Sequence, residues 1–513
     1  MKLASFPLEL AKPLLRKAYT RDAYAPPLLC HGISWARAGH TLLRTNMHVF
    51  RGHDTRIAWT NLPSLAKACS ATRRCTMLKK ISAITATNLV VANMVGTGVF
   101  TSLGFQVAGI SSDIALIGLW AVGGLVSLCG ALSYAELAAA LPRSGGEYHY
   151  LSRVFHPAVG FLSGWISVVV GFPAPIALAG IAFGEYFKVF LPGVSPVVTS
   201  LVVIWIVTLV HLRGLRVEEF FQNASTFLKI GLIMVLIVAG LMISNPQRLD
   251  MAVGPGTLGI FISGPFAVSL VYVMYAYSGW NAATYITEEV RDPARNVPWS
   301  LFTGTIIVTV LYLLLNYVFL LTTPKSVLAG KLEVGLLAGE TVFGPVGGEI
   351  VSGLISIGLI ATISAMAWIG PRITKRMAED LPKLSVLGKT SARGTPYVAS
   401  ILQLLIVTFM VGTGTFSTVL IYTQFSLLLC SLLTVLGLVV LRIREPALER
   451  PYKVWGYPLT PIIFLAITLH MMAYVIRDKP TESLLGLITV IAGLIIYFFA
   501  KESRRNSRLQ PLV

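Results

Sequence analysis

Long apolar runs follow one another along this chain after about residue 80, and polar, glycine-containing stretches break two of them. The first break lies in residues 93–100, NMVGTGVF, and the second in residues 276–282, AYSGWNA. An unwound segment inside a membrane exposes N–H and C=O groups where no water can bond to them. Such segments persist where they line a cavity, so this pair of breaks marks a candidate binding site.

The apolar runs predict about twelve membrane-spanning helices, since about 20 apolar residues cross the hydrocarbon core. The first and sixth spans carry the breaks, so each begins a block of five spans, and an odd number of spans inverts the second block. The sequence therefore predicts an all-α polytopic membrane protein with a five-plus-five inverted repeat. The predicted spans are 81–110, 113–140, 157–189, 196–213, 219–243, 259–287, 298–323, 345–372, 396–412, 416–442, 458–476 and 483–500.

Composition agrees with a membrane protein and divides the chain. Of its 513 residues only 12% are charged, against roughly 25% in soluble domains. No polar stretch after residue 80 is long enough for a soluble catalytic domain. We expect a basic, mostly disordered extension at 1–76, a transport core at 77–443, two further spans at 444–501 and a basic cytoplasmic tail at 502–513.

The net charge of +18 reflects membrane topology rather than nucleic-acid binding. Residues 1–76 hold 12 Lys and Arg against 3 acids. With residue 80 placed inside, the inner segments from Lys79 onward hold 22 Lys and Arg and the outer loops hold six. Positive residues are retained on the cytoplasmic side, so we expect both termini to be cytoplasmic.

The first break offers a site for a carboxylate. Gly96 and Gly98 let the helix open without steric cost, and a new half-helix is expected to begin near Val99. Its free N–H groups form the positive end of a helix dipole, and Thr97 adds a hydroxyl donor. The alternative is a packing motif, in which Gly96 merely permits close helix approach.

The second break offers the complementary site. Ser278 and Gly279 end a half-helix, which should leave the carbonyls of residues 275–277 unpaired and suited to an ammonium group. One site with N–H groups on one side and carbonyls on the other predicts a zwitterionic ligand, an α-amino acid.

Lys229 lies inside the fifth span, ~15 Å from its inner end by helix rise. An ionisable residue at such a depth is a functional candidate, although a lysine near an interface can also extend its amine to water. We expect it to contact the unwound Gly96–Thr97 region and small polar residues near Ser364 in the eighth span.

Four motifs in order resemble one family. They are 96–100 (GTGVF), 142–148 (PRSGGEY), 275–281 (YAYSGWN) and 287–298 (TEEVRDPARNVP). The chain resembles the amino acid–polyamine–organocation permeases over about residues 78–500, in particular bacterial relatives of the L-type amino acid transporters. The resemblance implies a leucine-transporter-like fold that works by alternating access.

The resemblance also implies roles for individual residues. It places the substrate carboxylate on the backbone at Thr97, Gly98 and Val99. It places the amine at Tyr275, Ala276 and Ser278, with Tyr275 as an aromatic gate and Asn281 facing the site. Lys229 matches a lysine that stands in for a bound sodium ion in sodium-independent members. The full candidate set is Asn93, Gly96, Thr97, Gly98, Val99, Tyr275, Ala276, Ser278 and Asn281 for substrate, and Lys229 and Ser364 for coupling.

No Asp or Glu lies at the centre of the first or sixth span, which favours neutral amino acids over the alternative of cationic amino acids, polyamines or other organocations. Exchange and proton-coupled symport both remain open. A channel would need a continuous polar pore, and a membrane-embedded enzyme would need catalytic or metal-ligand motifs that the spans lack. We therefore expect a permease with no catalytic residues, metal or cofactor.

The expected partners are an amino acid and the lipid bilayer, without nucleic acid. Residues 187–195 contain no cysteine, so the resemblance to the animal members does not extend to a disulfide-linked heavy chain. The expected location is a bacterial inner (plasma) membrane.

The extension at residues 1–76 is expected to be dispensable, because it has no apolar span and Met77 precedes a complete first span. A chain that starts at Met77 should insert and take up substrate at the rate of the full chain in reconstituted vesicles. Loss of insertion or uptake would instead identify the extension as a targeting or folding element.

Overall fold

The computed structural model describes residues 80–500 except 214–217, 255 and 392–393, and it leaves out the side chains of 218–223, 380 and 382. The predicted extension at 1–76 and tail at 502–513 lie outside the described residues. Within the described part the chain is helical and contains no strand, and one isolated bridge joins Ile81 and Val290. The all-α prediction is confirmed for this part.

Seventeen α-helices follow one another in the described residues. They are α1 (Ala83–Met94), α2 (Gly98–Gly109), α3 (Asp113–Ala140), α4 (Gly146–Val154), α5 (Pro157–Ile166), α6 (Pro173–Phe187), α7 (Pro196–Leu212), α8 (Glu218–Leu241), α9 (Thr257–Phe261), α10 (Gly264–Tyr277), α11 (Pro293–Thr322), α12 (Lys325–Leu328), α13 (Val334–Asp380), α14 (Tyr397–Thr413), α15 (Phe416–Arg444), α16 (Leu459–Asp478) and α17 (Pro480–Ala500). A π-helical turn, Ser167–Gly171, joins α5 to α6, and 3-10 helices occupy Ala282–Glu289 and Pro382–Gly388.

Length and composition identify the helices that can cross a membrane. In the described part, eight are long and apolar enough, and α1 with α2 make a ninth if this pair, bent by 41°, counts as one span. The helices α7 and α14 are apolar but shorter. A polytopic membrane protein is therefore confirmed, while the count of twelve, which also includes α10, stays a prediction.

Both predicted breaks are present, with two differences from the expected geometry. The half-helix after the first break begins at Gly98, one residue before the expected Val99. The segment after the second break is a 3-10 helix, Ala282–Glu289, rather than an α-helix. Between α10 and this segment, Gly279 has a φ of +102°, a left-handed angle that favours glycine.

The eighth span begins where the sequence predicts, at residue 345. The range of α13, Val334–Asp380, contains two helices that meet at a kink at Gly344, where the φ of +78° is not helical, so the second of them starts at Pro345. The sequence places a helix-breaking Gly-Pro pair at 344–345, and the helix resumes after this one non-helical residue.

The packing of the spans agrees with two related halves. The second span packs on the seventh (α3 on α11), the third on the eighth (α6 on α13) and the fourth on the ninth (α7 on α14). The fifth span, α8, packs on the seventh and eighth, and the tenth, α15, packs on the second and third. Spans that correspond in the two blocks thus make corresponding contacts, as a five-plus-five repeat requires.

Candidate functional site

The backbones of the two breaks are in direct contact. A Cβ atom on Gly98 would lie 2.5 Å from the Cα atom of Ala276, and one on Gly279 would lie 2.9 Å from the carbonyl carbon of Asn93. Real Cβ atoms do not approach other atoms so closely, so both positions need glycine. The fold thus brings three predicted site residues, Asn93, Gly98 and Ala276, together with the break at Gly279.

The first break presents the start of a helix. The first N–H groups of a helix have no partner within it, and α2 begins at Gly98 with Thr97 before it. Thr97 does not cap the helix with its side chain. Its hydroxyl lies 3.0 Å from the hydroxyl of Tyr275, and both residues are buried. This contact joins the predicted carboxylate side to the predicted gate.

The carbonyls at the end of α10 are better paired than the sequence predicts. The backbone N–H and the hydroxyl of Ser278 both donate to the carbonyl oxygen of Tyr275, at 3.0 and 2.7 Å. The carbonyl oxygen of Ala276 accepts from the hydroxyl of Tyr312 at 3.2 Å. The expectation that residues 275 and 276 carry unpaired carbonyls is therefore wrong, because a turn and a neighbouring span supply donors.

Tyr312, in α11, bridges the two breaks. Its hydroxyl lies 2.7 Å from the carbonyl oxygen of Met94, at the end of α1, as well as 3.2 Å from that of Ala276. A hydroxyl carries one proton, so the two carbonyls share one donor. Tyr312 is not among the residues predicted from the sequence, although Tyr312 and Asn316 are polar positions in a mostly apolar run. Both side chains are fully buried.

The two asparagines of the candidate set contact the protein rather than each other. The side-chain amide of Asn93 donates to the carbonyl of Leu89 in its own helix at 2.8 Å. The amide of Asn281 lies 3.4 Å from the Oε1 atom of Glu147.

Glu147, in the first turn of α4, is a second functional candidate that the sequence analysis missed. Its Oε1 atom accepts hydrogen bonds from the hydroxyls of Tyr134 at 2.6 Å and Ser431 at 3.2 Å, besides that from Asn281. The residue is 6% exposed, and this burial raises the pKa of its carboxyl above the ordinary value. The motif that contains Glu147, residues 142–148, served only as evidence for the family resemblance.

Lys229 links the first break to the fifth and eighth spans. Its Nζ atom lies 3.2 Å from the carbonyl oxygen of Val95 and 3.0 Å from the hydroxyl of Thr362. A Cβ on Gly358 would lie 3.2 Å from the lysine Cε, so α13 is close to the whole side chain. A cavity of about 10 Å³ opens here, with Gly96 in its wall.

Ser364 does not contact Lys229. Its hydroxyl lies 2.9 Å from the Nε2 atom of His211, at the end of α7. The predicted region of the eighth span does approach the lysine, through Thr362 two residues earlier. Among the described residues no group of three or more His, Cys, Asp or Glu is arranged to hold a metal ion.

Comparison with known proteins identifies the family. The amino acid permease family model matches residues 81–499, so this chain belongs to that family. The b(0,+)-type amino acid transporter 1 of Mus musculus is 30% identical over 433 residues, which cover 82% of this chain and 87% of that protein. The resemblance to the amino acid permease family inferred from the motifs is confirmed, while the resemblance to bacterial members in particular stays a prediction.

Two further relatives have similar coverage. The Asc-type amino acid transporter 1 of Mus musculus is 26% identical over 448 residues, 83% of this chain and 82% of that protein. The Large neutral amino acids transporter small subunit 2 of Mus musculus is 27% identical over 456 residues, 84% of this chain and 83% of that protein. The family and these relatives are transporters rather than enzymes.

Replacing Tyr312 with Phe should destabilise the protein by about 1–3 kcal/mol, because the two buried carbonyls lose their shared donor while the ring is kept. The measurement is the unfolding midpoint of purified protein in detergent. The control is Tyr317→Phe on the same helix, where Tyr317 makes no hydrogen bond within the described residues. Equal midpoints for the two variants would contradict the bridging role.

Proposed function

We propose that this permease moves neutral L-amino acids across the membrane by alternating access, without sodium, as an exchanger or a proton-coupled symporter. The observation that carries the proposal is the meeting of the two breaks, where the start of α2 lies beside the end of α10. N–H groups at a helix start suit a carboxylate, and carbonyls at a helix end suit an ammonium. An α-amino acid supplies both groups a short distance apart.

We assign the binding of the substrate carboxylate and amine mainly to backbone groups at the two breaks. The N–H groups of Gly98 and Val99, with Thr97, would bind the carboxylate. The amine would bind at Ala276, whose carbonyl oxygen has a second lone pair, and at the hydroxyl of Ser278. The carbonyl of Tyr275 already accepts two hydrogen bonds, so we assign Tyr275 to gating rather than to amine binding.

The absence of acidic residues at the two breaks favours neutral substrates. Residues 93–100 and 275–281 contain no acid, so a cationic side chain would find no partner there. Glu147 reaches the site through Asn281, but its Oε1 atom already accepts three hydrogen bonds. One relative is named as a large neutral amino acids transporter subunit, and this name supports neutral substrates.

We also propose the placement of the chain. The charge distribution over the loops supports cytoplasmic termini, and the location expected from the motifs is a bacterial inner (plasma) membrane. A disulfide-linked heavy chain is not expected, because residues 187–195 lack cysteine. The two cysteines of the described residues, Cys129 and Cys430, are both buried.

The decisive experiment is uptake by reconstituted vesicles of a panel of labelled amino acids and polyamines, with and without internal amino acid and with imposed pH gradients. We expect saturable uptake of neutral amino acids. Uptake confined to arginine, lysine or polyamines would favour the cationic alternative, and uptake that does not saturate would favour a channel. Stimulation by internal substrate distinguishes exchange from proton coupling.

Tyr275→Ala should lower uptake about tenfold or more, because an aromatic ring that covers the substrate excludes water from the occluded state. Tyr275→Phe and Tyr275→Trp should have mild effects. The Phe variant also removes the hydroxyl that contacts Thr97, so it isolates the ring from the hydroxyl. Near-parental uptake by a well-expressed Ala variant would show that Tyr275 serves packing alone.

Lys229→Ala should lower uptake strongly, because it removes the donor to the Val95 carbonyl and the link to Thr362. Arg should rescue poorly, since a planar guanidinium does not replace a compact ammonium. Uptake by the parent should be equal in sodium and choline buffers. A parent that requires sodium would refute the proposed replacement of a sodium ion by Lys229.

A matched pair of variants tests the geometry of this link. Thr362→Val removes a partner of Lys229, whereas Ser364→Ala removes a partner of His211. Thr362→Val should therefore lower uptake more than Ser364→Ala does. The reverse order would mean that the contact with Thr362 does not matter for transport.

A further inference from the structure

Glu147 connects four parts of the molecule. It lies in α4, the short helix between the second and third spans. Its hydrogen-bond donors come from the second span (Tyr134), the tenth span (Ser431) and the second break (Asn281). A single carboxylate oxygen therefore joins the break that carries the proposed amine site to two spans outside it.

The other buried acids of the described chain have cationic partners. Glu136 pairs with Arg442 and Arg450, and Asp113 pairs with Lys325 at 2.6 Å. Glu147 has no Lys, Arg or His partner among the described residues, and its polar contacts are neutral donors. A buried carboxylate without a cation depends on its hydrogen bonds to stay ionised.

The groups that face Glu147 from each neighbouring element are also uncharged at neutral pH. They are Tyr134 on α3, Ser163 on α5, Asn281 and Tyr285 at the second break, and Cys430 and Ser431 on α15. Arg153, on the same helix as Glu147, pairs with Glu445. Burial and the nearby Arg143 and Arg153 lower the pKa of His149 to about 4, so it is neutral at physiological pH.

We propose that Glu147 is a pH-sensitive positioning residue: its ionised form holds the second break in place through Asn281, and its protonation releases that break. A carboxylate accepts a charge-assisted hydrogen bond, which is about twice as strong as a neutral one. If Asn281 moves away during the cycle, the carboxylate loses one of the three donors to its Oε1 atom and takes up a proton more readily. Protonation then weakens the hydrogen bond that Asn281 can form when it returns. Protonation of Glu147 and release of Asn281 are therefore linked.

The inference rests on the proposed transport activity, and its first test does not need transport. Infrared difference spectra of the purified parent, recorded as pH is lowered, should show a protonated-carboxyl C=O band that titrates. The same band should be missing from Glu147→Gln. An identical set of carboxyl bands in both proteins would overturn the inference even if no substrate were known.

The second test is the pH profile of uptake at equal pH on both sides of the vesicle membrane. The parent rate should rise about fivefold as pH falls, the change expected when a charge-assisted hydrogen bond becomes neutral. Glu147→Gln, which mimics the protonated form, should be fast and flat across the same range. Glu147→Asp keeps a carboxylate and should keep a pH response with a shifted midpoint.

The matched control is Glu445→Gln, which removes a carboxylate that contacts the same helix through Arg153. Its uptake should keep the pH profile of the parent. A pH response in Glu147→Gln equal to that of the parent, or loss of the response in Glu445→Gln as well, would overturn the role of Glu147. Absence of amino acid uptake by the parent would refute the proposed function instead, while the infrared titration would still decide the inference.

Discussion

The two breaks release backbone N–H and C=O groups inside the membrane, where no water is available. The fold therefore depends on hydrogen-bond partners for these groups. An unpaired carbonyl in hydrocarbon costs several kcal/mol, so an unwound span survives only if other residues bond to it. Tyr312 donates to the carbonyls of Met94 at the end of α1 and of Ala276 in the last turn of α10, and Lys229 donates to Val95 in the first break. Ser278 bonds back to Tyr275. These donors supply hydrogen bonds to four of the carbonyls at the two breaks, those of Met94, Val95, Tyr275 and Ala276.

The breaks can be predicted from the sequence because they depend on local residues. The hydrogen-bond donors that bind the released carbonyls cannot, because they come from distant parts of the chain. Glycines within an apolar run identify an opening wherever it occurs. Tyr312, however, lies 218 residues from Met94 and 36 from Ala276, and no local pattern encodes these pairings. The length and apolar character of the spans predicted the all-α membrane fold for the same local reason, and the Gly-Pro pair at 344–345 marked the start of the eighth span in the same way.

The eighth span shows how precisely the sequence alone can assign the contacts of a residue. Thr362 and Ser364 are both small hydroxyl residues in the predicted region of one helix. Two residues along an α-helix turn the side chain through about 200°, so the two hydroxyls leave opposite faces. Thr362 meets Lys229 and Ser364 meets His211. A sequence can place a residue at a depth in the membrane, but the rotation of the helix against its neighbours comes from packing.

The two breaks are held from different sides and touch each other directly. Lys229 ties the first break to the fifth and eighth spans, and Asn281 ties the second to Glu147, and thereby to the second and tenth. Between them the contact at Gly98 and Ala276 leaves no room for even a methyl group. Close-packed atoms transmit displacement, so neither break can shift towards the other without moving it. A substrate that bonds both to the start of α2 and to the end of α10, beside their contact, would therefore act on both attachments at once, which is the physical requirement for linking binding to a change of access.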